Sequence, residues 1–172
     1  MYESLARAAL AAEDPERVIE TARRMRARHP NLSREQVARK LASRAALSCA
    51  AVGVFASGPA ALVPGLPVAL DLSYQAQSLH RLILSVARVS GRPANALERL
   101  AAAGASVLLA GATLAARRQA IEAARRLPAR RAPIPSLLAA ALAGGAASYA
   151  AARLAELLAE RHFFQQRRRR PW

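Results

Sequence analysis

The sequence predicts an all-α protein, folded as a single bundle of about five helices. Its 172 residues include 45 alanines and 24 leucines, and both residue types are strong helix formers. Aromatic residues make up only 4% of the chain, and β-branched residues, which favour strands, are also scarce. The length suits one domain with a core of its own. Such a core needs no disulfide, and the single cysteine, Cys49, can form none within the chain.

The charge pattern points to an anionic partner. The chain carries 26 basic and 11 acidic residues, a formal charge of +15, and every basic residue except Lys40 is arginine. Charge is absent from long stretches, so apolar blocks alternate with basic ones. An excess of basic over acidic residues of this size favours binding to a membrane surface or to nucleic acid.

The same composition argues against an enzyme. We expect no catalytic residue, no metal site and no cofactor. The three histidines have no cysteine, aspartate or glutamate at metal-ligand spacing, and no phosphate-binding or nucleophile motif occurs. Cys49 lies in an apolar run and is expected to be a small buried hydrophobic residue. The histidines are His29, His80 and His162.

The first 32 residues are predicted to hold a basic amphipathic helix. No signal peptide opens the chain, which predicts a protein on the cytoplasmic side. The helix should begin at Pro15, with Asp14 as its N-cap, and end at His29-Pro30. Its apolar face contains Val18, Ile19, Ala22 and Met25.

A second helix and a broken apolar loop should follow. Ser33 and Gln36 form a capping-box pattern, which predicts a helix start. Residues 45–70 carry no charge, a length that would suit a membrane span. Glycine and proline interrupt this run from position 58 onward, and proline removes helix hydrogen bonds. We therefore expect the helix to stop near Ser57 and a Gly/Pro-broken loop to occupy 57–71.

The third helix is expected to start at Asp71, the one carboxylate between Glu35 and Glu98. Asp is among the best N-caps, so capping is the first interpretation; cation binding or pairing with a buried arginine stays open beside it. Gly91 followed by Pro93 predicts the end of this helix. One apolar stripe recurs at helical spacing: Leu72, Ala76, Leu79, Ile83 and Val86.

The C-terminal part is predicted to be an Ala/Gly-rich helical hairpin. A fourth helix should span Asn95 to Leu127, with residues 100–116 uncharged. A basic linker at 117–131 and an uncharged segment at 132–152 follow. The last helix should continue to about Gln166, leaving 167–172 as a basic tail.

Three placements of this hairpin relative to a membrane are open. Segment 100–116 would extend about 26 Å, at ~1.5 Å per residue, against a hydrocarbon core of about 30 Å. A two-span topology would put as many cations outside as inside, contrary to the positive-inside rule. A helical body at an anionic surface fits the charges better. Small residues would equally pack helices in a soluble bundle, a homo-oligomer or a complex with another protein.

The arginines are the predicted contacts to that surface. Each basic residue near an anionic membrane contributes about 1 kcal/mol. Nucleic acid is the second choice of partner, because recognition modules usually add aromatic residues for stacking and aromatics are few here. The predicted contacts to lipid or phosphate are Arg117, Arg118, Arg125, Arg126, Arg130, Arg131, Arg167, Arg168, Arg169 and Arg170.

Two segments of the sequence form a recognisable pattern. The first is Pro64-Gly65-Leu66-Pro67, followed by Asp71 and a leucine-rich helix that ends at Ser90-Gly91. The second is the closing helix, with Pro135, Gly144-Gly145, Ser148-Tyr149, Ala155 and Phe163-Phe164. Through these segments, residues 33–168 resemble the EcsC family of bacteria. Ser90 stands where the family usually has Tyr, and Ser148 where it often has Asn. The family-like positions are Pro64, Gly65, Pro67, Asp71, Gly91, Gly144, Gly145 and Tyr149.

This resemblance implies an all-helical, membrane-associated protein at 33–166, without an established catalytic activity and with a loose link to export. Residues and resemblance together predict a non-catalytic helical protein attached at the cytoplasmic face of a membrane. Two alternatives remain: a basic nucleic-acid-binding protein, or an integral or pore-forming helical protein.

Overall fold

The computed structural model of the protein describes residues 15–57, 67–126 and 133–168. Within these ranges the protein is all-α, as the composition predicts, and contains no strand. The five helices are α1 (Pro15–Arg28), α2 (Arg34–Ser57), α3 (Pro67–Ser90), α4 (Ala96–Arg126) and α5 (Pro133–Arg168).

Local chemistry explains where the helices begin and end. The predicted capping box is present, since Gln36 N–H donates to Ser33 Oγ at 3.2 Å and Ser33 N–H donates to Gln36 Oε1 at 2.9 Å. α3 stops because Gly91 adopts a φ of 87°, a conformation that favours glycine. A second capping box opens α4, where Glu98 N–H donates to the Asn95 side chain at 2.8 Å.

The predicted start of α3 is wrong. The helix begins at Pro67, so Asp71 lies one turn inside it and is not its N-cap. Proline at the first helical position loses no helix hydrogen bond, because that N–H has no partner within the helix in any case. The same reason explains the start of α5 at Pro133.

The predicted bounds of the fourth helix are confirmed to within one residue, since α4 runs from Ala96 to Arg126. Most of the basic segment 117–131 is therefore the last part of this helix. α5 also extends two residues beyond the predicted end, to Arg168. The predicted loop at 57–71 is wrong at both ends, because Ser57 belongs to α2 and residues 67–71 belong to α3. Asp14 and residues 58–66 and 169–172 lie outside the described ranges.

Helices α2 to α5 form an up-down-up-down bundle. Each helix contacts the next along the chain, α5 closes the ring against α2, and α3 also contacts α5. Arg39 on α2 pairs with Glu160 on α5, while Gly53 approaches Gly144, so α2 and α5 are antiparallel. α1 packs mainly on α3 and touches α2, which places it on the side of the bundle opposite the α4–α5 pair.

The α2–α5 contact is built from small residues. A Cβ atom added to Gly53 would lie 2.6 Å from the carbonyl oxygen of Gly144 and would also overlap Ser148 Oγ. A Cβ added to Gly145 would lie 2.7 Å from Val54 Cγ2. The two backbones can therefore approach this closely only because the side chains are absent. Alanines continue the buried contact: Ala42, Ala46, Ala152, Ala155 and Ala159.

α3 lies at the centre of the fold. The apolar stripe predicted for it is buried throughout, with Leu79 at 1% and Val86 at 0% exposure. Of the α1 face predicted from its spacing, Val18, Ala22 and Met25 are buried, whereas Ile19 is half-buried. The helix order and the core faces therefore follow from hydrophobic periodicity.

We predict that Gly53→Ala destabilises the protein and that Gly104→Ala stabilises it. An added methyl at 53 meets a backbone carbonyl that cannot move away, and overpacking of this kind costs about 1–3 kcal/mol. A Cβ at Gly104 meets nothing within 4 Å, so the higher helix propensity of alanine should add up to about 1 kcal/mol. Urea unfolding followed by circular dichroism measures both. Equal effects of the two variants would contradict the close α2–α5 contact.

Candidate functional site

An uncharged ridge follows the exposed side of α5. Every fourth residue from Leu138 to Leu158 is exposed and is either leucine or alanine. The ridge spans 21 residues, about 30 Å at ~1.5 Å per residue. Leu142 is 69% exposed and Leu138 59%, so the ridge is not covered by any described part of the chain. Its members are Leu138, Leu142, Ala146, Ala150, Leu154 and Leu158.

The outward side of α4 is also apolar. Leu97 is 77% exposed and Leu108 72%, and Gly104 faces open space. Ala96–Gln119 is the one helical stretch of the described chain that is long and apolar enough to cross a membrane. About a third of its apolar window is buried inside the fold, which is the side that packs on α3 and α5.

Helices α4 and α5 pack against each other, so their two apolar sides can form one surface. His162 on α5 hydrogen-bonds Glu98 on α4, and Arg117 on α4 donates to Ser148 on α5. These two hydrogen bonds hold α4 and α5 antiparallel. In this register Leu108 on α4 lies at the same height along the bundle as Leu154 on α5. We call the surface the α4–α5 face and define it by Ala101, Ala105, Leu108, Ala112, Ala150, Leu154 and Leu158.

Arg117 is not part of any exposed surface. It was predicted to contact lipid or phosphate, yet only 4% of it is exposed, so that prediction is wrong. The reason is its position on the inward side of α4, in the same register as the buried Val107, Ala110 and Thr113. Its neighbour Arg118 is exposed on α4, as predicted.

The buried guanidinium of Arg117 lies in a polar cluster at the end of the bundle where α2 and α4 finish. Its Nη2 donates to Ser148 Oγ, and the same oxygen accepts from the Gln75 amide at 3.3 Å. Ser148 Oγ in turn donates to the Gly144 carbonyl at 2.8 Å. Because a buried charge is costly without hydrogen bonds, this chain of contacts explains why a small polar residue stands at position 148.

The other predicted arginine contacts are described only in part. For Arg125, Arg126, Arg167 and Arg168 the description is confined to the backbone, which is helical in all four. Arg130, Arg131, Arg169 and Arg170 lie outside the described ranges. The helix directions nevertheless separate the two groups, because α4 ends at one end of the bundle and α5 ends at the other.

A second polar cluster joins the opposite ends of α4 and α5. Glu98 accepts from Arg92 at 2.8 Å and contacts His162 Nε2 at 3.1 Å. Burial acts to raise the pKa of Glu98, but the hydrogen bond from the Asn95 backbone and the contacts of His162 and Arg92 outweigh it and lower the pKa below its ordinary value. This carboxylate therefore stays ionised and ties α4 to α5.

Glu156 on α5 is a buried carboxylate with the opposite shift. It is 1% exposed, and its nearest cation is Arg153, one turn earlier on the same helix. Burial is the main cause that raises the pKa of Glu156, and neighbouring Glu160 adds to it, against the effects of Arg153 and Arg39. Glu156 lies at the α2–α5 contact, where Arg39 on α2 also pairs with Glu160 on α5. Charged side chains therefore link the two helices.

The family-like positions have structural places in the bundle. Gly91 ends α3 with its positive φ, and Gly144 and Gly145 form the α2–α5 contact. Tyr149 is 40% exposed on α5. Pro67 and Asp71 lie in the first turns of α3, with Asp71 one turn before Gln75. Pro64 and Gly65 fall outside the described ranges.

The histidines and Cys49 do not assemble into a site. Cys49 is buried at the α2–α5 contact, as predicted. His80 is fully buried on α3, and His29 contacts Lys40 at 3.4 Å. Among the residues that the structure describes, no group of three histidine, cysteine or acidic side chains could hold a metal ion.

No known protein family, curated protein or solved structure matches this chain. The resemblance to the EcsC family therefore stays a prediction.

Sequence patterns could have indicated part of the polar cluster around Glu98. Asn95 and Glu98 have the spacing of a capping box, which identifies the start of α4. Arg117 follows an uncharged run, a pattern that predicts the beginning of a solvated basic segment. Only the helical register of α4 shows that its side chain is buried.

We predict that Ser148→Ala lowers the free energy of unfolding by about 1–3 kcal/mol, because a buried guanidinium loses one of its acceptors. Ser43→Ala is the matched control: its hydroxyl makes the same bond to the carbonyl four residues earlier, but in an exposed position. Its effect should stay within about 0.5 kcal/mol. Urea unfolding measures the difference, and equal small effects would show that the buried cluster is not needed for stability.

Proposed function

We propose that this chain is a non-catalytic protein that attaches to the cytoplasmic face of an anionic membrane, with the α4–α5 face against the lipid and arginines contacting the headgroups. The observation that carries this proposal is the uncharged ridge on α5 together with the apolar outward side of α4. Exposed apolar patches of this extent typically mark an interaction surface.

The energetics favour an apolar environment for this face. Fully burying a leucine side chain contributes roughly 1.5–3 kcal/mol, and Leu108, Leu154 and Leu158 are each 47% or more exposed. The alanines between them add little area but keep the surface smooth. An interface of this kind suits a bilayer surface, into which apolar helix faces sink by about 5–10 Å.

Charges flank the face at both ends. Arg118 and the last turns of α4 lie at one end of the bundle, and the last turn of α5, with Arg167 and Arg168, lies at the other. A bundle lying on its α4–α5 side would present both basic groups to one plane of headgroups, which a bundle standing on its end would not.

Surface attachment is favoured over spanning helices by the packing of α4. Ala103 and Ser106 on its inner side are fully buried, so α4 would have to leave the bundle to be surrounded by lipid. The nucleic-acid alternative is less favoured because, of the aromatic residues described near the C-terminus, Phe163 is buried and Phe164 packs against the core, so neither can stack on bases. The link to export that the EcsC resemblance implies belongs to this proposal as a prediction.

We predict that the variant Leu154→Ser/Leu158→Ser binds membranes less tightly than the unchanged protein. Flotation with vesicles that contain phosphatidylglycerol measures binding. Loss of two leucine contacts should weaken it about tenfold or more. Leu47→Ser is the control, because Leu47 is 65% exposed on α2 and lies outside the α4–α5 face. Equal binding by all three proteins would contradict this face as the attachment surface.

We further predict that replacing Arg118, Arg125, Arg126, Arg130 and Arg131 by glutamine weakens binding to anionic vesicles and leaves binding to neutral vesicles unchanged. Each arginine near an anionic surface contributes about 1 kcal/mol to binding. Added salt screens these charges and should likewise weaken the binding of the unchanged protein to anionic vesicles. Arg117 is left in place because it is buried. If the variant floats with anionic vesicles as well as the unchanged protein does, these five arginines do not contribute to attachment.

A further inference from the structure

A crevice opens at the end of the bundle where α1 and α3 end and α2 begins. Its volume is about 460 Å³, within the range of small-molecule sites. The second half of α1 forms one wall, and the first residue of α2 and the end of α3 form the other. We call it the arginine crevice, after the four side chains that line it: Arg23, Arg26, Arg34 and Arg88.

The charge of the arginine crevice is uniformly positive. Its four arginines come from three different helices, and no aspartate or glutamate is among the described residues that line it. All four side chains are exposed, so a ligand from solution can reach them. Like charges around one space repel each other, and a bound anion removes that repulsion.

Arg34 is held in place by the end of α3. Its Nη1 donates to the Ser90 carbonyl oxygen at 3.1 Å. A Cβ atom added to Gly91 would lie 2.5 Å from the same Nη1, so the guanidinium packs directly over the glycine backbone. This bond uses one donor of a planar group that has several, and it fixes the group at the edge of the crevice.

Helix dipoles account for only two of the four arginines. Arg26 and Arg88 lie in the last turns of α1 and α3, where the dipole favours a cation. Arg23 lies before the last turn of α1, and Arg34 opens α2, where the dipole disfavours a positive charge. Stabilisation of helix ends therefore does not explain why the four side chains meet around one space.

Three of these arginines are not used by the fold as the structure describes it. Within the described ranges, Arg23, Arg26 and Arg88 form no ion pair and no side-chain hydrogen bond. Arg24, the neighbour of Arg23, differs in this respect because its Nε contacts the Glu20 carboxylate on the same helix. The three guanidinium groups are therefore available to a ligand.

We propose that the arginine crevice binds a diphosphate group, with Arg23, Arg26 and Arg88 around its oxygens and Arg34 at its edge. Guanidinium groups bind phosphate oxygens through pairs of parallel hydrogen bonds. Two linked phosphates offer oxygens to several guanidinium groups at once, whereas a single phosphate offers fewer oxygens and less charge. The group is carried by inorganic diphosphate or by an organic diphosphate, since both present the same chemistry.

The floor of the crevice separates these two sources. Ala22 is 6% exposed and Val89 is 8% exposed, and both line the crevice beside the half-buried Ile19. An alkyl chain attached to the diphosphate gains from covering these side chains. Inorganic diphosphate gains nothing from them.

The test is isothermal titration calorimetry of the full chain at physiological ionic strength, which screens distant charges. The ligands are inorganic diphosphate, geranyl diphosphate and inorganic phosphate. We expect one diphosphate per chain, and binding of inorganic phosphate at least about tenfold weaker because it meets fewer guanidinium groups. Equal binding of the two diphosphates would identify the diphosphate group as the whole ligand, and tighter binding of geranyl diphosphate would identify an organic one.

The variant Arg23→Gln/Arg26→Gln/Arg88→Gln should bind diphosphate at least about tenfold more weakly, because three charged donors are lost. Arg34 is left in place, since its bond to Ser90 stabilises the end of α3.

The matched control is Arg44→Gln/Arg118→Gln/Arg161→Gln. It makes the same change in net charge at three exposed positions outside the crevice. It should bind diphosphate within about twofold of the unchanged protein, since salt screens charges at that separation.

Two further variants keep the test decisive. Ala27→Phe places a ring in the crevice from an exposed position on α1 and should abolish binding while the circular dichroism spectrum stays unchanged. Leu154→Ser/Leu158→Ser should bind diphosphate normally even where it no longer binds vesicles, so this site and the proposed membrane attachment can fail separately. Absence of saturable binding, equal losses in both triple variants, or equal binding of inorganic phosphate and diphosphate would overturn the proposal.

Discussion

The close approach of α2 and α5 at Gly53 and Gly145 is the constraint on which the bundle depends. Without side chains at these positions the two backbones come within van der Waals contact of each other, and alanines continue the contact toward the other end. Interiors are densely packed and tolerate little extra volume. The contact therefore fixes the register of α5, and with it the position of Ser148 beside Arg117 and of Glu160 beside Arg39.

A core filled with small residues leaves the large ones outside. The α2–α5 contact uses alanine, glycine, serine and cysteine, whereas five leucines of α5 lie exposed. In a protein stabilised by its own core alone, leucine would be expected on the inner side of such a helix and polar residues on the outer side. This arrangement on α5 is the physical reason for proposing that its outer side lies against a membrane.

Much of the fold could be predicted from the sequence, because periodicity and caps act locally. The helix count, the capping box at Ser33 and Gln36, the stop at Gly91 and the buried stripe of α3 all depend on residues within a few turns of one another. The predicted start of α3 is wrong because aspartate and proline both favour helix starts, and Pro67 precedes Asp71 in the chain. The burial of Arg117 could not be predicted, since it depends on how α4 is rotated against α3 and α5, and uncharged alanine-rich segments carry almost no periodic signal.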